Sequence, residues 1–323
     1  MATWEKLGRI YNPLDFPDRP EWQHEYALAP CALVLEDVVR IFFGCRPPRD
    51  AQGQRVTYTT FLDLERSNLF QIRGFAACPV MEFGSHGYFD EFGTYPLSVI
   101  QREADPQGYL LGFYAGWTRC ESVPFNVSIG AAISRDNGRS FEKLGPGPIL
   151  PFSPNEPFTL SGPKIRKFES TYYLFYIAGR RWLEIDGRAE ISHKIRLATS
   201  SDGLNWKKVD RNLISNAWDE DEAQASPDVI YANGRYHMFF CGWVPASFRK
   251  TRDRRIGYAW STDLLNWTRD DSMSGLAPSV EGWDQEMVAY PHVFLLDGHM
   301  YLLYNGNEVG RFGFGLARLV GEI

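Results

Sequence analysis

Five stretches of the chain spell the same hairpin: CALVLEDVVRIFFGCR (31–46), LSVIQREADPQGYLLGFYAGWTR (97–119), KIRKFESTYYLFYIAGRR (164–181), DVIYANGRYHMFFCGW (228–243) and HVFLLDGHMYLLYNGN (292–307). Each is a short apolar strand, a turn that in three copies is Asp-Pro-Gln-Gly, Asn-Gly or Asp-Gly, and an aromatic-rich strand ending near glycine. A second hairpin follows in IGAAISRDNGRSFEKL, IRLATSSDGLNWKKV and IGYAWSTDLLNWTRD, with weaker copies in RVTYTTFLDLERSNLFQI and RFGFGLARL. Two hairpins in a period of about 60 residues make a four-stranded blade, and blades stacked by repetition make a propeller.

The last repeat stops after its third strand, in GLARLVGEI, and the missing fourth is written near the start, where ATWEKLGRI matches SFEKLG and NWKKVD. The reading is one all-β domain over 1–323, a five-bladed β-propeller. Residues 1–12 close the last blade, and the blades span about 28–75, 94–145, 161–212, 225–272 and 289–323. Closure leaves no long free sheet edge.

Composition agrees: 44% hydrophobic and 15% aromatic residues suit packed strands and sugar-stacking surfaces. A net charge of −6 argues against nucleic acid as partner, because phosphate neutralisation needs a basic face. No basic-then-apolar leader and no run of about 18 apolar residues occurs, so the expectation is a cytoplasmic protein without a membrane span. Five cysteines without a CxxC pair read as reduced thiols, Cys31 and Cys241 as small buried hydrophobes.

The S-x-D-G-x-x-W turns, the Y-x-L-F-Y-x-A-G strands and the strand starts at proline together resemble the five-bladed propellers of glycoside hydrolase families 43, 32 and 130. The resemblance covers nearly the whole chain through framework motifs. It implies a carbohydrate-active enzyme acting on a glycosidic bond, by hydrolysis or phosphorolysis. It also implies a general acid where SGPKIRKF has Ser161, and a channel histidine, here His292, able to hold a structural cation; no other cofactor is expected.

In a propeller, function belongs to the loops at one end of the strands. One candidate set is the spacing Glu-x4-Pro, written at Glu25, Glu91, Glu222 and Glu286, each ahead of an inner strand. Such a glutamate is either a clamp accepting backbone N–H groups or a catalytic carboxylate. A second set follows from strand alternation, which turns the residue after each blade proline toward the axis: Cys31, Leu97, Lys164, Asp228 and His292. Catalytic candidates are therefore Asp228, Glu91, Glu222 and Glu286. The outgoing loops carry Arg46, Trp117, Arg119, Arg181 and Trp243, which with Tyr95, Tyr290, His292 and Asn305 form an expected binding rim. Guanidinium groups beside flat aromatic faces suit a sugar carrying a carboxylate or phosphate, or free phosphate as co-substrate. The alternative is a glycan-binding or glycosyltransferase-like propeller of intracellular polysaccharide biosynthesis.

Overall fold

The computed structural model describes residues 3–17, 19–51, 53–102 and 108–323. Five four-stranded antiparallel sheets form five blades. Blade 1 is Glu25–Val34, Val38–Arg46, Tyr58–Glu65 and Asn68–Phe75. Blade 2 is Leu97–Gln101, Leu110–Thr118, Asn126–Ser134 and Glu142–Lys143. Blade 3 is Leu160–Phe168, Thr171–Ile185, Arg188–Ser200 and Lys207–Lys208. Blade 4 is Ala223–Ala232, Arg235–Trp243, Arg255–Ser261 and Thr268–Arg269. Blade 5 is Ala289–Leu296, His299–Asn305 and Phe314–Val320, completed by Thr3–Tyr11 in register Lys6 to Ala317. The closing strand is where the sequence puts it; the Asp-Pro-Gln part of blade 2's first turn lies outside the described residues.

The core lies between neighbouring blades. Phe175, Ile195 and Leu197 of blade 3 are buried in one cluster with Val229, Met238 and Phe240 of blade 4. The glycine in IGAA and IGYA has a packing reason: a Cβ at Gly130 or Gly257 stands 2.4 Å from the Tyr114 or Phe240 ring on the adjacent strand.

The Ser-x-Asp turns are stapled locally. Asp202 accepts the N–H groups of Leu204 and Asn205, and Asp263 those of Leu265 and Asn266, while Ser200 and Ser261 hydroxyls donate to them.

A different carboxylate clamps the blades. Ahead of blades 2, 3 and 5, buried Asp90, Glu156 and Asp284 each accept a second-strand tyrosine hydroxyl: Tyr114, Tyr176 and Tyr304. Each also pairs with an outer-strand lysine: Lys143 and Lys208 at 2.5 Å and Lys6 at 2.6 Å. In blade 4 Glu222 takes this place, 2.6 Å from Arg269. Of the four Glu-x4-Pro glutamates, then, only Glu222 sits in this clamp.

Candidate functional site

Four blade prolines follow a residue in the left-handed region: Ala29 (φ 49), Gly162 (φ 58), Ser226 (φ 48) and Tyr290 (φ 52). At each the strand register shifts, between Leu28 and Cys31, Ser161 and Lys164, Ala225 and Asp228, and Ala289 and His292. The bulge turns the residue before proline into an open funnel and drops the residue after it onto the axis beneath. Three of the four are not glycine, and such strain, of order 1–3 kcal/mol each, concentrates at functional sites.

Beneath the funnel, the expected convergence occurs. His292 Nδ1 lies 2.7 Å from Asp228 Oδ2 and 3.0 Å from Lys164 Nζ. Asp228 also accepts Arg166 and, at 2.9 Å, the Val293 N–H. Burial raises its carboxyl pKa, but the positive charge of Arg166 and Lys164 outweighs that and holds it well below the usual carboxylate range. Burial would raise the Cys31 thiol too, yet His292 and Lys164 bring it down to about 6. With Cys31 this group joins four blades, and it does not line the funnel.

The funnel has a volume of about 400 Å³. Of the expected rim, Arg46, Tyr95, Trp117, Trp243 and Tyr290 line it. Tyr95 and Trp117 stack at 5.6 Å and 7°, and burial pushes the Tyr95 hydroxyl up to about 12 against the opposing charge of Arg46. Tyr95 is therefore a neutral hydroxyl at physiological pH, and Tyr290 accepts a hydrogen bond from Arg254 at 2.9 Å.

Other expected residues are placed elsewhere. Arg119 lies in an adjoining cavity, and Arg181 is an exposed partner of Asp221. Asn305 is wholly buried, accepting the Ala29 N–H and donating to Ala27 and Gly313 carbonyls, so it ties blade 5 to blade 1. Glu91 accepts the Gly87 N–H at 2.9 Å beside His86. Glu222 is fully buried and accepts the Ala217 and Trp218 N–H groups as well as Arg269. Glu286 is exposed, its backbone N–H held by Asn307. Asp228, Glu91, Glu222 and Glu286 thus stand at four separate places, none on the funnel wall.

The sequence reading took Arg254, within the run FRKTRDRR, for solvated surface charge, and it missed His193 and Glu190. Arg254 lies 3.9 Å over the Trp243 ring and 4.8 Å over Phe248. Burial, with Arg254 and Lys194 nearby, holds His193 down to about 3, so it is neutral at physiological pH. Arg254 Nε and His193 Nδ1 are buried without a hydrogen-bond partner among the described residues. Glu190, 2.5 Å from Arg249, is the one carboxylate among the described residues lining the funnel. His193 and Glu190 arrive on an unusually long hairpin, Thr171–Ile185 with Arg188–Ser200, turned at Asp186-Gly187. That Asp-Gly pair was the available signal. Arg46 and Arg254 make no ion pair among the described residues, which leaves the funnel with uncompensated positive charge in a chain of net charge −6.

No family model matches the chain. Solved structures share its architecture: a "Glycoside hydrolase" superposes with TM-score 0.75 at 19% identity, covering 98% of this chain and 92% of that one. Family 43 and family 32 propellers are among the structural neighbours. By sequence, the "Beta-1,2-mannobiose phosphorylase" of Thermoanaerobacter sp. (strain X514) is 29% identical over 207 residues, 62% of this chain and 59% of its own length. An uncharacterized protein of Mycobacterium tuberculosis (strain ATCC 25618 / H37Rv) is 34% identical over 318 residues, 98% of this chain and 99% of its own. The chain belongs to the family of that mycobacterial protein, built on the five-bladed propeller of the glycoside hydrolases.

Proposed function

We propose that the protein is a carbohydrate-active enzyme that holds a sugar in the funnel together with an anion, the sugar's own or free phosphate, and acts on its glycosidic bond. The observation that carries this reading is Arg254: a cation framed by Trp243, Phe248 and Tyr290 that has no carboxylate partner among the described residues, its own Nε and the nearby His193 Nδ1 likewise without a partner there. Flat faces take the sugar ring and the guanidinium forks take the anion.

Proton transfer falls in this reading to Glu190 rather than to Asp228, Glu91, Glu222 or Glu286, because it is the described carboxylate that reaches the funnel. Hydrolysis by the usual route uses two carboxylates flanking the bond. One carboxylate beside an anion site suits phosphorolysis, in which a phosphate oxygen attacks the anomeric carbon while the glycosidic oxygen leaves with a proton. The similarity to a mannobiose phosphorylase supports that choice of nucleophile. On the axis, the Lys164 ammonium supplies the positive charge that a structural cation would bring.

The test is incubation with β-1,2-mannobiose, with and without phosphate. Sugar 1-phosphate formed only with phosphate, and lost by about 100-fold or more in Glu190→Gln, is the expected result. Saccharide binding without turnover under either condition overturns the enzyme reading and leaves the glycan-binding propeller.

A further inference from the structure

A second cavity, of about 290 Å³, lies against the funnel. Arg46, Tyr95, Trp117 and Phe125 line both, so the Tyr95–Trp117 stack is a shared wall. Its far side is lined by Arg49, Arg55 and Arg119, with no carboxylate among its described lining residues.

These arginines are held in place. Arg46 and Arg55 lie over the same Tyr26 ring, at 4.5 and 5.3 Å. Arg119 lies 4.1 Å over Phe92 and donates to the Arg55 carbonyl, and Arg49 donates to the Gly53 carbonyl. Outside the cavity, Glu25 pairs with Arg55 at 3.0 Å and Asp50 stands 3.7 Å from Arg119. Four guanidinium groups against Glu25, Asp50 and, at longer reach from Arg119, Glu91 leave an excess of positive charge gathered in one hollow. Self-repulsion opposes such a concentration unless an anion occupies it.

We propose that this side cavity binds the diphosphate of a saccharide diphosphate whose sugar lies in the funnel. The inference rests on the funnel reading and adds a second anion site to the one at Arg254. Two adjoining phosphates offer several oxygens to the surplus cations, and planar guanidinium forks match pairs of phosphate oxygens. The shared wall gives the geometry: Arg46 faces both hollows, where the bond between sugar and phosphate would pass. Nucleoside diphosphate sugars and prenyl diphosphate sugars share this chemistry.

Titration calorimetry on the full chain tests it, with pyrophosphate and inorganic phosphate as probes. Pyrophosphate is expected to bind one to one, at least about tenfold tighter than phosphate, and the Arg49→Gln/Arg119→Gln double variant to weaken it by about tenfold or more. That variant should keep its melting temperature and bind β-1,2-mannobiose as before. Arg119→Lys, which keeps charge and loses the fork, serves if the double variant does not fold, and is expected to lower the preference for pyrophosphate. Trp243→Ala should do the converse, weakening the saccharide and sparing pyrophosphate. UDP-glucose and farnesyl diphosphoglucose then separate the two sources: the one that binds tighter than pyrophosphate names it. Equal affinity for phosphate and pyrophosphate, or unchanged binding in both arginine variants, overturns the proposal, and so does a failure of both diphosphosugars to exceed pyrophosphate. Pyrophosphate bound as described, with no saccharide bound at all, overturns the funnel reading instead.

Discussion

Asp228 shows what a fully buried carboxylate requires at the scale of one residue. It is taken out of water with Arg166, Lys164, His292 and the Val293 N–H around it, and the partners come from blades 3 and 5. Removing one member of such a group leaves the others charged and unsatisfied, at a cost of about 3–5 kcal/mol. Asp228→Asn is therefore expected to lower unfolding free energy by about that amount, measured by urea denaturation. A change within error of zero would show that the cluster does not hold the blades together. The convergence of Lys164, Asp228 and His292 was readable from alternation alone, because proline marks the same strand position in each blade. That Asp228 is enclosed by its partners was not readable, since it depends on the register bulge above it.

At the scale of the element, the Ser-x-Asp turns hold a fixed set of N–H donors around one carboxylate. Hydrogen bonds from Asn205 and Leu204, and from Asn266 and Leu265, hold the Asp202 and Asp263 carboxyls well below the usual range. A depressed folded-state pKa contributes stability that is fully present above the unfolded pKa of about 3.9 and is lost as pH falls through the folded value. The Asp202→Asn/Asp263→Asn double variant, which keeps an acceptor oxygen and loses the charge, should therefore be less stable than the parent at pH 7. Its melting temperature should fall less steeply than the parent's below about pH 4; parallel curves would refute the assignment. The Glu-x4-Pro spacing is the contrary case. Its four copies look alike in sequence, yet Glu25 pairs with Arg55, Glu91 caps a loop, Glu222 clamps blade 4 and Glu286 is exposed. The recurring clamp sits one or more residues away in most blades, at Asp90, Glu156 and Asp284, since loop length there varies while the tyrosine and lysine partners stay fixed.

At the scale of the whole molecule, closure repeats the chemistry of the other blades with a strand from the far end of the chain. Lys6 reaches Asp284 as Lys143 reaches Asp90. Lys6→Met and Lys143→Met are both expected to destabilise the fold by about 3 kcal/mol, since each leaves a buried carboxylate without its cation. Equal losses in thermal or urea unfolding would show that the closing blade bears load like the rest; a negligible loss in Lys6→Met would show that it does not. The sequence by itself determined the hairpins, the blade count, the stapled turns and the closing strand. Those features depend on alternation and turn chemistry within a few residues, repeated five times. Only the tertiary structure decided which side chains share the funnel. Arg46, Glu190, His193, Arg254 and Tyr290 come from four blades, and their meeting depends on bulges before proline and on one overlong hairpin. No local pattern records how far such a hairpin leans across the ring, because inter-blade packing sets that distance.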